Sequence, residues 1–548
     1  RTVRATRAPE PFASLPPRSP MSLASTSPLS PTPRAWTAAL IAGLLALAVY
    51  AWGAAPWPQP GDSAELAAVG SVGGVAHPSG YPTFTLLANA VTPWLPGRPT
   101  HRVALLGAAC GAASVALLAM LLAELGVAWG TCLAGALLFG MAFTPWWSAI
   151  RVEVYALGLT LALFALWRTL VARRTLALTD GLLAAFAMGL ALTVHLSFAL
   201  LLAWAGLLML TRAAQRGALT PVRAGLALAL LLLGLSPYLS LLAPLMRPGP
   251  TNYAHTIVEP LGAQFGITPE RWAQVGERLH FMLSGPDTRP RALWDHLPTA
   301  WGNLTLAFSR HALFDVGPFA WCMALAGAVV LWRRDRALTG LLVGAGLATP
   351  VLASLITDGA LLLLFMMTTT IAVAMLASVA LESLAPRLPR AVPVALVIAG
   401  MLVPHALRMQ ALAAPAGPAW RTPVVEGPPM VRTLVPSFRD ERAALDRTLA
   451  ELAATPESSL VIAKWEPYSM LMYLQAAEGV RRDLTLDPWY DAHLVRVAQW
   501  QRTHDLRTRP IVVVDSIPTL VTRMTAPEVV RPTHERALWI VRDSLRTD

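Results

Sequence analysis

The chain has 548 residues, of which 55% are hydrophobic and 14% charged, and that balance excludes a string of soluble domains. Repeated apolar runs of about twenty residues are long enough to cross a bilayer as helices, so the composition predicts a polytopic membrane protein. The formal net charge is +11, yet the arginines fall in tails and loops beside the apolar runs, which is the positive-inside pattern and not a nucleic-acid-binding face.

In chain order, residues 1–34 are rich in Pro, Ser, Thr and Arg without apolar periodicity and read as a disordered cytoplasmic tail, with Met21 the expected start. Ala35–Ala55 is long for a signal-peptide core and is expected to be an uncleaved first span. Further spans are expected at 103–124, 127–144, 150–171, 178–194, 196–212, 222–244, 317–333, 337–356, 360–383 and 391–409, about eleven in all. Under strict alternation Arg173, Arg174, Arg212, Arg216, Arg223, Arg333, Arg334, Arg336, Arg387 and Arg390 share one side, the cytoplasmic one. The loops 56–102 and 245–316 and everything beyond 410 then lie outside. The turn between 194 and 196 is the tightest, with little room between spans.

In the loop 245–316, Trp272, Leu279, Phe281 and Met282, then Leu293, Trp294, Leu297 and Trp301, are spaced for helices lying in the membrane interface. Trp52, Trp57, Trp94, Trp146, Trp147 and Trp332 fall near span ends as an aromatic belt. A linker at 410–429 precedes a small α/β domain, 430–548, with strands expected at Ser459–Lys464, Leu484–Leu486, Pro510–Asp515 and Leu538–Val541 and helices at Tyr468–Gly479 and Asp491–Thr503. This domain is expected to fold as a separate unit. The cysteines, Cys110, Cys132 and Cys322, sit in apolar runs and predict buried thiols, with no disulfide framework or thiolate metal site.

The stretch that carries chemistry is Gly61–Pro82, GDSAELAAVGSVGGVAHPSGYP. Asp62 and Glu65, three residues apart, project from one helical face. The segment His77-Pro78-Ser79-Gly80-Tyr81-Pro82 imposes a fixed bend that adds an imidazole and a phenol. Asp62 and Ser63 would also serve as caps of a short interfacial helix, with Glu65 near its third position. The two acids and His77 could ligate a divalent ion, although no spacing demands one. Arg151, Arg247 and His77 are candidates to hold an anionic group on the outer side. Glu153 and Tyr155 open a span there. His195 lies near a span end, where a structural histidine between helices is the expectation.

These residues resemble a known family. Asp62-Ser63-Ala64-Glu65 and the HPSGYP bend, Pro145-Trp146-Trp147 leading to Glu153-Val154-Tyr155, Gly189–Leu196 ending in His195, and Leu233–Tyr238 are similar to the transmembrane protein O-mannosyltransferases, a polytopic glycosyltransferase family with vertebrate and bacterial members. Trp465-Glu466, Tyr473-Leu474-Gln475 and Gly479–Asp483 look like that family's tail; the loop 245–316 matches it poorly. The resemblance implies a GT-C-like transmembrane module over 35–409 and a mannose-like sugar carried on a polyprenyl phosphate. It also implies a protein or glycan hydroxyl acceptor and a catalytic acid in the first outer loop, Asp62 or Glu65. On their own chemistry and position, His77, Tyr81, Arg151, Glu153, Tyr155, His195 and Arg247 are the substrate-binding candidates beside that acid. No cofactor beyond the lipid donor is expected, and the partners are membrane lipids, donor and acceptor, not nucleic acid. Two other classes fit the composition. A transporter or flippase of lipid-linked sugars would carry charge in mid-membrane, and a non-catalytic envelope assembly protein would leave Asp62, Glu65 and His77 idle.

Overall fold

A computed structural model describes residues 33–285, 297–355, 362–387, 437–489, 494–515 and 517–546, with scattered residues between 389 and 407. Residues 1–32 of the expected tail 1–34, the linker, and about half of the expected span at 391–409 lie outside the described residues. The rest is mainly helical, with a small C-terminal sheet.

The apolar runs become helices because a lipid-embedded backbone must satisfy its own hydrogen bonds. In order they are α1 (Pro33–Gly53), then the short α2 (Asp62–Val72) and α3 (Pro82–Val91), then α4 (Pro99–Glu124), α5 (Trp129–Met141), α6 (Phe143–Ile150), α7 (Tyr155–Thr175), α8 (Leu178–Val194), α9 (Ala199–Gln215) and α10 (Pro221–Leu235). Helices Pro318–Arg334, Arg336–Ala353 and Met367–Leu384 complete the bundle. Seven helices among the described residues are long and apolar enough to cross a membrane, or up to nine with two bent pairs. Together with the shorter Leu178–Val194 they stand where the sequence predicts spans up to residue 383.

Two departures have local causes. The expected span 127–144 is broken: α5 stops at Ala142, whose ψ of 141° is extended, and α6 leaves at 66°. Pro145 lacks an N–H, so it is tolerated only in the first turn of a new helix. The new helix is capped from afar: the Asp315 carboxylate accepts from the Thr144 N–H at 2.9 Å and its hydroxyl at 2.6 Å. Second, residues 151–154 are not helical and the next span begins at Tyr155, which puts Arg151 and Glu153 in a connecting bend and not on a helix.

The tight turn after α8 is made by one residue. His195 is extended, and its Nδ1 accepts from the Ser197 N–H at 3.1 Å, capping the short 3-10 turn that starts α9. Arg173 pairs with Asp335, and Arg174 with Glu124 at 3.0 Å. The basic end of α7 therefore meets the acidic end of α4 at the end of the bundle opposite α2.

Part of the apolar face of the loop after α10 packs within the protein: Trp272, Phe281 and Met282 are buried with Val75, Leu241, Leu245, Ala254 and Val258 in a compact core under the loop after α1. Trp301 and Leu297 remain exposed, Trp301 by 79%; Leu293 and Trp294 fall outside the described residues. The two outer loops join at Val75, whose N–H donates to Thr251 O at 2.9 Å and whose carbonyl accepts from Tyr253 N at 2.9 Å. Gly74 permits this approach: its φ is +137°, and a Cβ there would meet Thr251 O at 2.3 Å. In the bundle Cys110 and Cys132 are buried, but Cys322 is exposed on a helix face where lipid would lie.

The C-terminal sheet has order β2-β1-β3-β5-β4, from β1 (Leu460–Ala463), β2 (Thr485–Pro488), β3 (Ile511–Val514), β4 (Glu528–Val530) and β5 (Leu538–Val541). β1 is parallel to both β2 and β3, with Leu460 opposite Thr485 and Ile511; β5 closes the sheet antiparallel to β3 and β4. The all-apolar β1 and β3 are buried on both faces. The helix after β1, Trp465–Ala477, packs on α2, and its Tyr468, Met470, Leu471 and Tyr473 belong to the same continuous apolar core as α2 and α4.

Candidate active site

The loop Gly61–Pro82 folds as a helix followed by a bend, and its polar side chains converge. Gly61, with φ +78°, starts α2 without any side-chain cap. The capping role open to Asp62 and Glu65 is therefore not the one they take. Both side chains point away from the helix N-terminus toward other partners.

Glu65 is buried, its side chain 3% exposed. One oxygen accepts the His77 backbone N–H at 2.9 Å and the other lies 2.5 Å from His77 Nδ1. Burial raises the Glu65 pKa, against the lowering effect of His77, and the neighbouring Asp62 charge adds to the rise. With Nδ1–H given to Glu65, the opposite nitrogen, Nε2, faces the Tyr81 hydroxyl at 2.7 Å and Asp62 Oδ2 at 3.8 Å. Burial, then the Tyr155 hydroxyl and the Asp62 charge, push the Tyr81 phenol well above its ordinary range, so it stays protonated. The result is a Glu65–His77–Tyr81 chain that fixes the imidazole, with Asp62 beside it.

Asp62 is the open member, its side chain 51% exposed. Its Oδ1 accepts the indole N–H of Trp465 at 2.9 Å. Its own backbone neighbour, the Gly61 N–H, donates to Ser469 Oγ at 2.9 Å, so the loop is clipped to the C-terminal unit at consecutive residues. Tyr253 stands between, its ring centroid 6.2 Å from His77 and 5.9 Å from Trp465.

Arg151 grips the same loop from behind. Its guanidinium donates to Pro60 O at 3.1 Å, lies 3.6 Å from Glu153 and covers the Trp147 ring at 4.9 Å. Burial raises Glu153 to about 7, opposed by Arg151. Tyr155 meets His195 at 4.7 Å between ring centroids, and His195 stacks on Tyr81 at 6.0 Å. Asp62, Glu65, His77, Tyr81, Arg151, Glu153, Tyr155 and His195 thus form one connected group. Arg247 stands apart: it is exposed, and its carbonyl accepts from Asn252 Nδ2 at 2.7 Å. Trp465 and Tyr253 escape the sequence reading, because neither is near the loop in sequence and no spacing links them.

Below the bend, Tyr81 and His195 open onto an apolar cavity of about 710 Å³ between Leu196, Leu200, Leu283, Leu352 and Phe365. A polar cluster and a hydrocarbon cavity therefore meet at Tyr81. Asp62, Glu65 and His77 also offer ligand atoms within 4.8 Å of one another, the geometry in which a metal ion could be held. However, two ligands of one ion bound at about 2.1 Å stand about 3 Å apart or more, and Glu65 and His77 are closer than that.

The fold and site define a polytopic membrane protein with an acid–histidine centre beside a lipid-compatible cavity, at the end of the bundle opposite Arg173 and Arg174. Residues 62–218 match the family model described as the Protein O-mannosyl-transferase TMEM260 N-terminal domain, a stretch that begins at Asp62 and holds every member of the connected group contributed by the membrane module. The chain is 36% identical over 99 residues to the mouse Protein O-mannosyl-transferase TMEM260, a match covering 18% of this chain and 14% of the mouse protein. Through this stretch the chain resembles the transmembrane O-mannosyltransferases. The crystal structure of ArnT from Cupriavidus metallidurans bound to undecaprenyl phosphate aligns at 15% identity and a TM-score of 0.49, over 92% of this chain and 97% of that one.

Proposed function

We propose that the protein is a membrane glycosyltransferase of the GT-C type. It moves a sugar, mannose-like by resemblance, from a polyprenyl phosphate to a hydroxyl of a protein or glycan on the outer face of the membrane. The observation that carries this reading is the half-exposed Asp62 carboxylate held beside a buried Glu65–His77–Tyr81 chain, with an apolar cavity below. Orientation with the arginine-bearing ends in the cytoplasm supports the outer face.

In this reading Asp62 is the base and Glu65 is not. Both oxygens of Glu65 are committed to His77, whereas the Asp62 side chain is half exposed and its Oδ2 lies 3.8 Å from His77 Nε2, beyond hydrogen-bond distance. Asp62 takes the acceptor hydroxyl's proton as its oxygen bonds to the sugar C1; the C1–O bond to phosphate breaks and the electron pair leaves with the phosphate. Attack opposite the leaving group inverts the anomeric centre. Phosphate leaves readily without a general acid, so the remaining need is donors for its charge. His77 Nε2, once protonated, and Tyr81 lie where the cavity meets the acid and supply them; Arg151 holds the loop. Asp62, Glu65 and His77 are the residues that would hold a divalent ion; no step here is routed through one. The charge-poor spans weigh against a transporter. The deciding experiment incubates the purified protein with a labelled polyprenyl-phosphate mannose and a hydroxyl acceptor. Release of free polyprenyl phosphate coupled to glycosylated product supports the reading; vectorial movement of intact donor without release would replace it with the flippase.

A further inference from the structure

The C-terminal unit reaches the acid directly. Trp465 is the first residue of the helix after β1, and its indole N–H is, among the described residues, the one hydrogen-bond donor to Asp62, 2.9 Å from Oδ1 across 403 positions of sequence. One turn along the same helix, Ser469 accepts the Gly61 N–H. The indole itself is fixed: Tyr468 stacks on it at 6.0 Å and Tyr253 meets it edge-on at 5.9 Å. Carboxylate, donor and backbone are therefore locked by one element that lies outside the membrane module.

We propose that Trp465 is a positioning residue for Asp62, so that the C-terminal unit completes the transferase site by occupying Oδ1 and leaving Oδ2 to receive the acceptor's proton. The inference rests on the transferase reading above. A half-exposed carboxylate without this donor rotates about χ2 and presents either oxygen, and part of its population faces away from the acceptor. Packing alone would not hold one oxygen in this way.

The test is Trp465→Phe, which keeps a ring against Tyr253 and Tyr468 but removes the N–H. It is run on the full-length purified protein with polyprenyl-phosphate mannose, alongside Asp62→Asn. The expected result is a kcat lower by about tenfold with a KM for the lipid donor within about twofold of wild type. Benzothienylalanine placed at 465, in which sulfur replaces the N–H in the same shape, keeps the packing and should lower kcat to the same degree. Wild-type kcat in the benzothienylalanine protein overturns the inference, because only the N–H is missing there, and it decides the matter even if Trp465→Phe does not fold. An Asp62→Asn protein with wild-type turnover overturns both the inference and the reading it rests on. An inactive Asp62→Asn protein alongside wild-type kcat in the benzothienylalanine protein overturns the inference alone.

Discussion

Replacing Asp62 by Asn separates chemistry from architecture at this site. Asn keeps the side-chain oxygen that accepts the Trp465 indole, and no capping bond is lost because α2 has none at Gly61. What disappears is one negative charge in the first helical turn, worth about 0.3–1 kcal/mol at an exposed position, and Asp62 is half exposed. Stability should change by less than about 1 kcal/mol. The rate should not be spared, since an amide cannot take the acceptor's proton; loss of a general base costs about 10²–10⁴-fold, equivalent to about 3–5 kcal/mol of barrier. Glu65→Gln gives the contrasting pattern. Its carboxylate is buried against His77, and disturbing a buried hydrogen-bonded pair costs about 1–3 kcal/mol, so melting temperature and rate fall together. The assay is release of polyprenyl phosphate from a labelled donor, with thermal stability measured in the same detergent. Turnover by Asp62→Asn within threefold of wild type would refute the assignment of the base.

Three further outcomes follow from the same structure. Ala199→Phe projects a ring into the 710 Å³ cavity and should raise the KM for a long-chain polyprenyl donor about tenfold, while a short water-soluble prenyl analogue is little affected; equal effects on both would remove the cavity from the lipid path. Burial raises Glu153 to about 7 in the folded protein from an ordinary 4.5, so the stability it contributes is full below pH 4.5 and lost as pH rises through 7. Wild type should therefore melt lower at pH 8 than at pH 5.5, and Glu153→Gln should flatten that slope; parallel slopes in scanning fluorimetry would refute it. A reporter active only outside the cytoplasm, fused behind Asp548, should be active, and a cytoplasmic signal there would put Asp62 on the wrong face for an outer-leaflet donor.

The sequence was most informative where a single physical demand acts over a long stretch. The apolar lengths of α1, α4 and α7 admit no other soluble or membrane solution, and the bend HPSGYP declares itself through two prolines and a glycine. The cluster of Asp62, Glu65, His77 and Tyr81 is legible for the same reason, because all four lie on one short segment. Contacts between distant segments are different. Nothing near Thr144 announces that Asp315 caps α6, and the residues around Trp465 read as an ordinary strand-to-helix turn. The division of labour between the acids was also hidden: it depends on Glu65 being buried against His77, and spacing alone treats the two carboxylates alike. The strand β4, with only three residues and exposed side chains, offers no period to read, whereas the helix Ala443–Ala454 escapes the sequence reading although Leu445, Leu449 and Leu452 recur at helical spacing. The separate C-terminal domain expected from composition shares its apolar core with α2 and α4, because the alternating pattern of its helix cannot say which surface it will cover.

The clasp between the two ends of the chain also sets an order of events during synthesis. Gly53, Gln59, Gly61 and Asp62 each bond to residues between 438 and 469. At about 5–20 residues per second, the ribosome makes Trp465 roughly twenty to eighty seconds after Asp62. Throughout that interval the early helices can sit in the bilayer, surrounded by lipid, while the acid stands without its clasp. Until residues 438–469 have been made and have docked on the first loop, the nascent protein lacks the bonds that hold Gly61 and Asp62 in place.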